Sequence, residues 1–343
     1  MTPPGHTLSP VQRSALLEDA ARRAARYLDS LATRSVAPPA AAVARLDALD
    51  TSMPATSTDA AAVLARLDDL VGPATMAMAG PRFFGFVIGG ALPVTVAANW
   101  LATAWDQNAA LATATPGVSR IEAIALTWLK DLFGLPASTQ GAFVTGATMA
   151  NFTALAAARH RVLMQAGWQV EAEGLFGAPP ITVIVGEEAH PTLIKSLGLL
   201  GLGRKRVVRV PVDGQGRMRA DRLPRLAGPT ILCLQAGNLN TGAFDPLTDL
   251  CAAAREAGAW CHVDGAFGLW ARASGRLAPL AAGLELADSW ATDAHKWLNV
   301  PYDSGVAFVR EPGALPAAMA ITAEYLPAGD GARNPADFTP ELS

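Results

Sequence analysis

The chain has 343 residues, of which 51% are hydrophobic and 17% are charged, and its formal net charge is −3. This length and hydrophobic content argue against an intrinsically disordered chain and allow a large buried core. The small net charge, without a basic cluster, gives no basis for binding nucleic acid or an anionic membrane surface.

The N-terminal part of the chain predicts helices joined by proline-rich segments. Ser9 followed by Pro10 is a typical helix start, and the helix is predicted over Val11–Leu31. The Ala-rich stretch after Pro38-Pro39 is also predicted to be helical, and Ser57-Thr58-Asp59 is predicted to cap a further helix over Ala60–Val71. Residues 1–75 are therefore predicted to form a helical arm, either a linker or a dimerisation element.

Residues 83–105 carry no formal charge over 23 positions, which is long enough to cross a bilayer. The segment also contains glycines, Pro93 and Asn99, and no lysine or arginine directly follows its C-terminal end. It is predicted to form a buried loop and helix, and not a membrane span.

From Gly141 onward, short apolar runs alternate with helical patterns. Most of these runs lack polar alternation, which is typical of strands buried on both faces of a sheet. Seven strands are predicted, at Ala142–Thr145, Ile181–Val185, Val207–Val210, Thr230–Leu234, Ala259–Val263, Ser289–Thr292 and Gly305–Val309. Helices are predicted between several of them, at Met149–Ala166, Pro191–Leu200, Arg219–Arg225 and Leu247–Ala257. The alternation predicts an α/β fold with a largely parallel sheet and helices on both faces.

The three cysteines, Cys233, Cys251 and Cys261, cannot all pair with one another. Cys233 and Cys261 lie in apolar runs, and the spacing of the three is not that of a metal-ligand set. The first residues, Met1–His6, lack the charged start and the apolar stretch of a signal peptide. The sequence therefore predicts reduced core cysteines in a cytoplasmic protein, without a metal site.

Lys296 and Asp264 are the most informative residues. Only four lysines occur in the chain, and Lys296 stands among apolar neighbours after the strand predicted at Ser289–Thr292. Asp264 ends another apolar strand, where a charge is unfavourable without a partner. Lysine can form a Schiff base with an aldehyde, and a carboxylate can pair with a protonated pyridine nitrogen. The pair therefore predicts a site for pyridoxal 5′-phosphate (PLP).

A metal site is the alternative interpretation of Asp264. His262 is its nearest potential co-ligand, but it is expected to point to the opposite face of the strand. No second carboxylate is near in sequence. We therefore favour the pyridine nitrogen as the partner of Asp264.

Gly146, Ala147 and Thr148 lie between a predicted strand and the helix Met149–Ala166. Backbone N–H groups and the dipole at a helix N-terminus bind phosphate, and Thr148 adds a hydroxyl. The chain contains no GxGxxG or GxxxxGK[ST] motif, which argues against binding of dinucleotides and nucleoside triphosphates.

Together with His190 in the run Glu187–Thr192, these residues resemble the group II PLP-dependent decarboxylases, which include the aromatic amino acid and glutamate decarboxylases. The resemblance implies the aspartate aminotransferase-like fold (fold type I), a seven-stranded, mostly parallel sheet and a homodimer. It implies that Lys296 binds the cofactor, that Asp264 pairs with its pyridine nitrogen and that His190 stacks on its ring. It also implies that further residues bind the cofactor: Gly146, Ala147, Thr148, His295 and, beneath the ring, Ala266.

Several features depart from the family pattern. Asn238 stands where related decarboxylases have a threonine-rich run, and it is expected to contact the cofactor or the substrate. Asp293 replaces a frequent asparagine, and its carboxylate would repel a phosphate unless it points away. Gly89-Gly90 replaces a more polar segment that helps bind substrate in relatives, and the segment after Tyr325 lacks a tyrosine-bearing loop. The resemblance therefore implies an amino acid substrate without specifying which one.

The end of the chain lies where relatives begin the helix that leads into a small C-terminal domain. Thr339, Pro340 and Glu341 are typical of a helix start. Three regions are therefore predicted: the arm at residues 1–75, a large PLP-binding domain at 76–312 and the start of a truncated small domain at 313–343.

The predicted function is PLP-dependent decarboxylation of an L-amino acid, with Lys296, His190 and Asp264 as the catalytic residues. Two alternatives stay open. Another fold-type I lyase, such as an aldolase, a sphingosine phosphate lyase or a desulfurase relative, would release different products. A PLP-binding protein without turnover is the second alternative, because the predicted small domain is truncated.

Overall fold

The computed structural model of the chain describes residues 8–49, 52–321 and 333–341. It separates into two units, residues 1–86 and residues 87–343. The predicted departure after Tyr325 falls largely within residues 322–332, outside the described residues.

The first unit contains three α-helices, α1 (Pro10–Ser30), α2 (Ala40–Ala44) and α3 (Ala60–Val71), and two 3-10 turns, Arg45–Ala48 and Gly72–Ala74. Both predicted caps are confirmed. The Ser9 hydroxyl accepts the N–H of Gln12 at 3.3 Å, and the Gln12 side chain accepts the N–H of Ser9 at 2.9 Å. The carboxylate of Asp59 accepts the N–H of Ala62 at 2.9 Å.

The second unit is built on a seven-stranded sheet, as predicted. Its strands are β1 (Gln140–Val144), β2 (Thr182–Gly186), β3 (Val208–Val210), β4 (Thr230–Gln235), β5 (Trp260–Asp264), β6 (Ser289–Asp293) and β7 (Gly305–Val309). Their order is β1-β7-β6-β5-β4-β2-β3. Only β7 pairs antiparallel with its neighbours, so the predicted, mostly parallel α/β sheet is confirmed.

Seven α-helices of this unit are described: α4 (Pro93–Trp105), α5 (Pro116–Phe133), α6 (Ala147–Gln165), α7 (Val170–Glu173), α8 (Pro191–Leu199), α9 (Leu247–Glu256) and α10 (Ala314–Met319). The predictions for α6, α8 and α9 are confirmed within two residues. The helix predicted at Arg219–Arg225 is wrong, because only a 3-10 turn forms at Ala220–Arg222. Pro224 disfavours the helical conformation of the residue before it, which ends the turn. Helix α5 was not predicted.

The uncharged segment at residues 83–105 forms a loop and then α4. None of the helices in the described ranges combines the length and the hydrophobicity that crossing a bilayer requires. The prediction that the helix is buried is wrong, since no residue of α4 is buried within this chain. Val94 is 70% exposed, and Trp100, Leu101 and Trp105 are about half exposed.

The sheet separates two hydrophobic cores, and alternate residues of each strand face one or the other. In β5, Cys261 and Val263 pack in the core that includes Leu250 of α9. Trp260 packs in the other core, with Leu155 of α6. His262 and Asp264 follow Trp260 at intervals of two, so they face α6.

The chain ends in a further short element. A 3-10 turn forms at Pro335–Phe338, and the hydroxyl of Thr339 then accepts the N–H of Glu341 at 3.4 Å. That contact is the one expected of the predicted cap. Residues 342 and 343 lie outside the described residues.

Candidate active site

The predicted site residues gather at one edge of the sheet. Parallel strands end at the same edge, so the loops that follow β2, β4, β5 and β6 lie side by side. These loops carry His190, Asn238, Asp264 and Lys296. Strand β1 runs in the same direction as β6, because both pair antiparallel with β7. The turn at Gly146 therefore reaches the same edge.

Asp264 is a buried carboxylate without a cation in direct contact among the described residues. It is 4% exposed, and its oxygens accept hydrogen bonds from Asn151 Nδ2 at 3.0 Å and the Ala266 N–H at 3.2 Å. Burial raises the pKa of Asp264, while the hydrogen bond from Asn151 and the charges of His190 and Lys296 oppose that rise. Such a carboxylate is suited to a cationic partner.

Asn151 and His262 are site residues that the sequence interpretation missed. His262 Nε2 lies 2.8 Å from Asn151 Oδ1, and Asn151 in turn contacts Asp264. The expectation that His262 points away from Asp264 was wrong. Residues two apart in a strand share a face, so the spacing of His262 and Asp264 could have shown it.

The N-terminus of α6 lies opposite the end of β6. The N–H of Ala147 donates to Asp293 Oδ1 at 2.5 Å, and Gly146 has no side chain with which to cap the helix. Asp293 therefore points toward the predicted phosphate turn. A Cβ at Gly146 would come within 3.2 Å of His295 and 3.4 Å of Asp293, so the turn is tightly packed.

Asp293 also contacts both basic residues that follow it. Lys296 Nζ lies 3.4 Å from Asp293 Oδ2, and His295 Nε2 lies 3.3 Å from Asp293 Oδ1. The N–H of Ser304 donates to His295 Nδ1 at 3.0 Å, so the hydrogen of a neutral His295 ring is on Nε2 and faces Asp293. The ammonium of Lys296 is also 5.7 Å from the centre of the Phe267 ring.

The segment containing Gly89-Gly90 packs on the loop of Lys296. The N–H of Gly90 donates to Asn299 Oδ1 at 2.8 Å, and the N–H of Leu92 donates to the Asn299 carbonyl at 3.0 Å. A Cβ at Gly89 would lie 2.0 Å from the carbonyl oxygen of Lys296. Glycine at this position therefore lets two backbones approach closely beside the lysine.

His190 and Asn238 are both held by local hydrogen bonds. His190 caps α8, and its Nδ1 accepts the N–H of Thr192 at 3.3 Å. Asn238 Oδ1 accepts the N–H of Asn240 at 2.9 Å and that of Thr241, while its Nδ2 donates to Glu188 at 2.8 Å. One amide hydrogen of Asn238 is thus paired with Glu188, and no described residue accepts the other.

Gly265, the residue after Asp264, packs tightly against the core. A Cβ there would lie 2.0 Å from Leu269 Cδ1. Its small size therefore serves core packing. Ala266 joins the ends of two strands instead, since its N–H donates to Asp264 and its carbonyl accepts the N–H of Asp293 at 2.9 Å.

In a comparison with protein families, the pyridoxal-dependent decarboxylase conserved domain matches residues 43–339 of the chain. The aromatic-L-amino-acid decarboxylase of Bacillus atrophaeus is 31% identical over 254 residues, which are 72% of this chain and 51% of that protein. The chain spans about half the length, or less, of the first curated relatives that it matches.

Solved structures share the fold. The crystal structure of mouse CSAD matches 98% of this chain and 71% of its own, with a TM-score of 0.89 and 24% identity. The crystal structure of Oryza sativa TDC with PLP and tryptamine matches 98% of this chain and 72% of its own, with a TM-score of 0.88 and 23% identity. The expected fold type I architecture is thereby confirmed.

The cofactor of the matched family is PLP, and the residues of the site fit it. Asp264 offers a buried carboxylate to a pyridine nitrogen, Lys296 offers an amine to an aldehyde, and α6 offers its N-terminal N–H groups to a phosphate. Asp293 is an acidic group at the phosphate end, and His295 and Lys296 face it. Within the described ranges, no three His, Cys, Asp or Glu side chains gather as a metal site would require.

Proposed function

Because the chain belongs to the pyridoxal-dependent decarboxylase family, we propose that it removes the carboxylate of an L-amino acid as carbon dioxide, with PLP held at Lys296. The observation that carries this proposal is the joint position of the Lys296 amine, the buried Asp264 carboxylate and the N-terminus of α6 at one edge of the sheet. These groups match the three ends of the cofactor. The activity is a proposal because the chain spans only part of its relatives.

Different residues bind different parts of the cofactor. Lys296 binds the aldehyde carbon through Nζ, and Asp264 holds a proton at the ring nitrogen. The N–H groups at the start of α6, with the Thr148 hydroxyl, bind the phosphate. When bound, PLP supplies an electron-withdrawing ring that stabilises the negative charge left on the substrate carbon as carbon dioxide departs.

Four further residues shape the same pocket. We assign His190 to the outer face of the ring and Ala266 to the inner face. His295 offsets the charge of Asp293 near the phosphate, through the contact of 3.3 Å between them. The free amide hydrogen of Asn238 is assigned to the cofactor or the substrate, since its other hydrogen donates to Glu188.

We also propose that the protein is a homodimer. Helix α4 supports this proposal, because four of its large apolar side chains are about half exposed or more. Val94, Trp100, Leu101 and Trp105 are hydrophobic groups that a second chain would shield from water. Sedimentation equilibrium at micromolar concentration tests the proposal, and a monomer there contradicts it.

We propose a cytoplasmic location, because free cysteines are typical of proteins in a reducing compartment. Cys233, Cys251 and Cys261 are all free and buried. Cys251 and Cys261 have sulfur atoms 3.4 Å apart, and a reducing compartment would keep such neighbouring thiols from forming a disulfide. Localisation of a tagged chain by fractionation tests this assignment.

The reaction is tested by product analysis of the PLP-loaded protein. A panel of L-amino acids is incubated with it, and carbon dioxide and the matching amine are measured, with the D-enantiomers as controls. Release of an aldehyde or of sulfide without carbon dioxide favours the alternative lyases. Stable PLP binding without any product favours the alternative of a cofactor-binding protein without turnover.

A further inference from the structure

Five buried side chains form a continuous line of hydrogen bonds that ends at Asp264. Trp260 Nε1 donates to Ser289 Oγ at 2.8 Å, and Ser289 Oγ lies 2.9 Å from His262 Nδ1. His262 Nε2 lies 2.8 Å from Asn151 Oδ1, and Asn151 Nδ2 lies 3.0 Å from Asp264 Oδ2. None of the five is more than 5% exposed. They join β5, β6 and α6 away from water.

Trp260 sets the direction of this line. An indole N–H can only donate, so Ser289 Oγ accepts from Trp260 and its own hydrogen is free for His262 Nδ1. His262 then carries its hydrogen on Nε2 and donates to Asn151 Oδ1. Asn151 Nδ2 donates to Asp264, which accepts as a carboxylate.

A protonated Asp264 that donates to Asn151 would require the opposite direction. The hydroxyl of Asp264 would then donate to Asn151, Asn151 to His262 Nε2, and His262 Nδ1–H to Ser289. Ser289 Oγ would accept from both Trp260 and His262, and its own hydrogen would have no acceptor among the described residues. A buried polar hydrogen without an acceptor is unfavourable.

A second proton on His262 would let the ring donate from both nitrogens, but His262 does not take one at ordinary pH. Burial lowers its pKa to about 3, so the ring is neutral at ordinary pH. A neutral ring has one donor and one acceptor, and it therefore transmits the direction set at Trp260 to Asn151. The nearest titratable group along the line is Asp264, and burial alone would favour the protonated form of that residue.

We propose that Trp260, Ser289, His262 and Asn151 are positioning residues that keep Asp264 a carboxylate with its remaining lone pairs free for the cofactor ring nitrogen. This inference rests on the proposed function for the ring nitrogen, but the hydrogen-bond line itself does not. Oδ2 accepts from Asn151, and among the described residues Oδ1 accepts only the N–H of Ala266, at 3.2 Å. The line therefore fixes the orientation of Asp264 and disfavours a proton on Oδ2.

The first experiment uses the cofactor-free chain. Nitrogen NMR of histidine-labelled protein reports which ring nitrogen of His262 carries the hydrogen. We expect a neutral ring with the hydrogen on Nε2 from pH 5 to pH 8. A hydrogen on Nδ1, or a charged ring in this range, overturns the proposed direction.

The second experiment uses the protein loaded with PLP labelled with ¹⁵N in its ring. The nitrogen chemical shift is followed with pH in the wild type, His262→Phe, His262→Gln and Trp260→Phe. We expect His262→Phe to lower the midpoint of ring-nitrogen deprotonation by about one pH unit, a tenfold change in the equilibrium. His262→Gln restores a donor toward Asn151 and is expected to recover part of the shift.

Trp260→Phe removes only the far end of the line, and a smaller drop in the same direction is expected. Val183→Ala is the matched control, since Val183 is buried at 3% exposure on β2 and makes no polar link to Asp264. It should destabilise the fold without moving the midpoint. Equal midpoints in all folded variants overturn the inference. A wild type that takes up no PLP refutes the proposed function, while the tautomer of His262 still decides the hydrogen-bond line.

Discussion

The carboxylate of Asp293 accepts the backbone N–H of Ala147 at 2.5 Å, and so it lies at the first turn of the helix that is expected to bind phosphate. A carboxylate and a phosphate at one helix N-terminus repel each other. Lys296 and His295 reduce this cost from the other side of Asp293. Asp293 therefore competes with the cofactor phosphate for the N–H groups at the start of this helix.

Asp293→Asn should strengthen PLP binding by about tenfold, or about 1.4 kcal/mol. The amide oxygen keeps the hydrogen bond to Ala147, and the negative charge is gone. Titration of PLP by absorbance measures the change. Pyridoxal, which lacks the phosphate, is the matched ligand and should gain much less. An equal gain for PLP and pyridoxal would show that the substitution acts through Lys296 and not through the phosphate.

Lys296→Ala should abolish covalent attachment of the cofactor. The Lys296 side chain is 19% exposed and lies at the site, whereas Lys195 is exposed on α8 and serves as the control for lysine removal. The visible band of lysine-bound PLP and borohydride trapping should both disappear in Lys296→Ala and persist in Lys195→Ala. Trapping on Lys195 or Lys205 in the wild type would contradict the assignment.

Asp264→Asn should still bind PLP but lose turnover by several orders of magnitude. A neutral amide cannot hold a proton at the ring nitrogen by charge, so the ring withdraws electrons less strongly. Product release by the loaded variant measures the loss, and PLP titration verifies that the site is occupied. Activity close to that of the wild type would show that Asp264 does not have this role.

Gly89→Ala should displace the backbone of the loop that carries Lys296. The new Cβ would lie 2.0 Å from the Lys296 carbonyl oxygen and 2.7 Å from that of His295, so the backbone must shift. We expect PLP affinity to fall at least about tenfold, since small displacements of reacting groups have large effects. Gly117→Ala, which meets nothing within 4 Å, is the control and should bind PLP normally.

Asp245 should make stability depend on pH. Burial raises its pKa from 3.8 to about 6, although its carboxylate accepts the N–H groups of Met218 and Gln235. A raised pKa in the folded state means that the stabilising contribution is complete below pH 3.8 and is lost as the pH rises through 6.

Asp245→Asn removes this dependence. Between pH 5 and pH 7.5 the wild type should lose about 1 kcal/mol of unfolding free energy relative to the variant. Urea unfolding at the two pH values measures the difference. Asp249→Asn, at an exposed position on α9, is the control and should follow the wild type. A constant difference between wild type and Asp245→Asn would contradict the raised pKa.

The sequence by itself determined the seven strands of the sheet, with ends correct to within two residues. Apolar runs of five or six residues without alternation can only be satisfied where both faces of a strand are covered, and β4–β7 are buried in this way. Asp264 and Lys296 were recognisable because their charges conflict with the apolar runs beside them, and Gly146 because it lies in a small-residue turn between a strand and a helix. The predicted helix at Arg219–Arg225 failed, because helical composition did not outweigh the effect of Pro224.

Only the tertiary structure decided what surrounds these groups. Asn151 is 113 residues from Asp264 in sequence, and their hydrogen bond exists because α6 crosses the face of β5. Asp293 could have pointed away from α6, and its true direction follows from the pairing of β6 with β5 and β7. A sequence pattern indicates which faces of a single helix or strand are buried. Hydrogen bonds between distant elements depend on how those elements pack, and packing fixed the charge partners of the site.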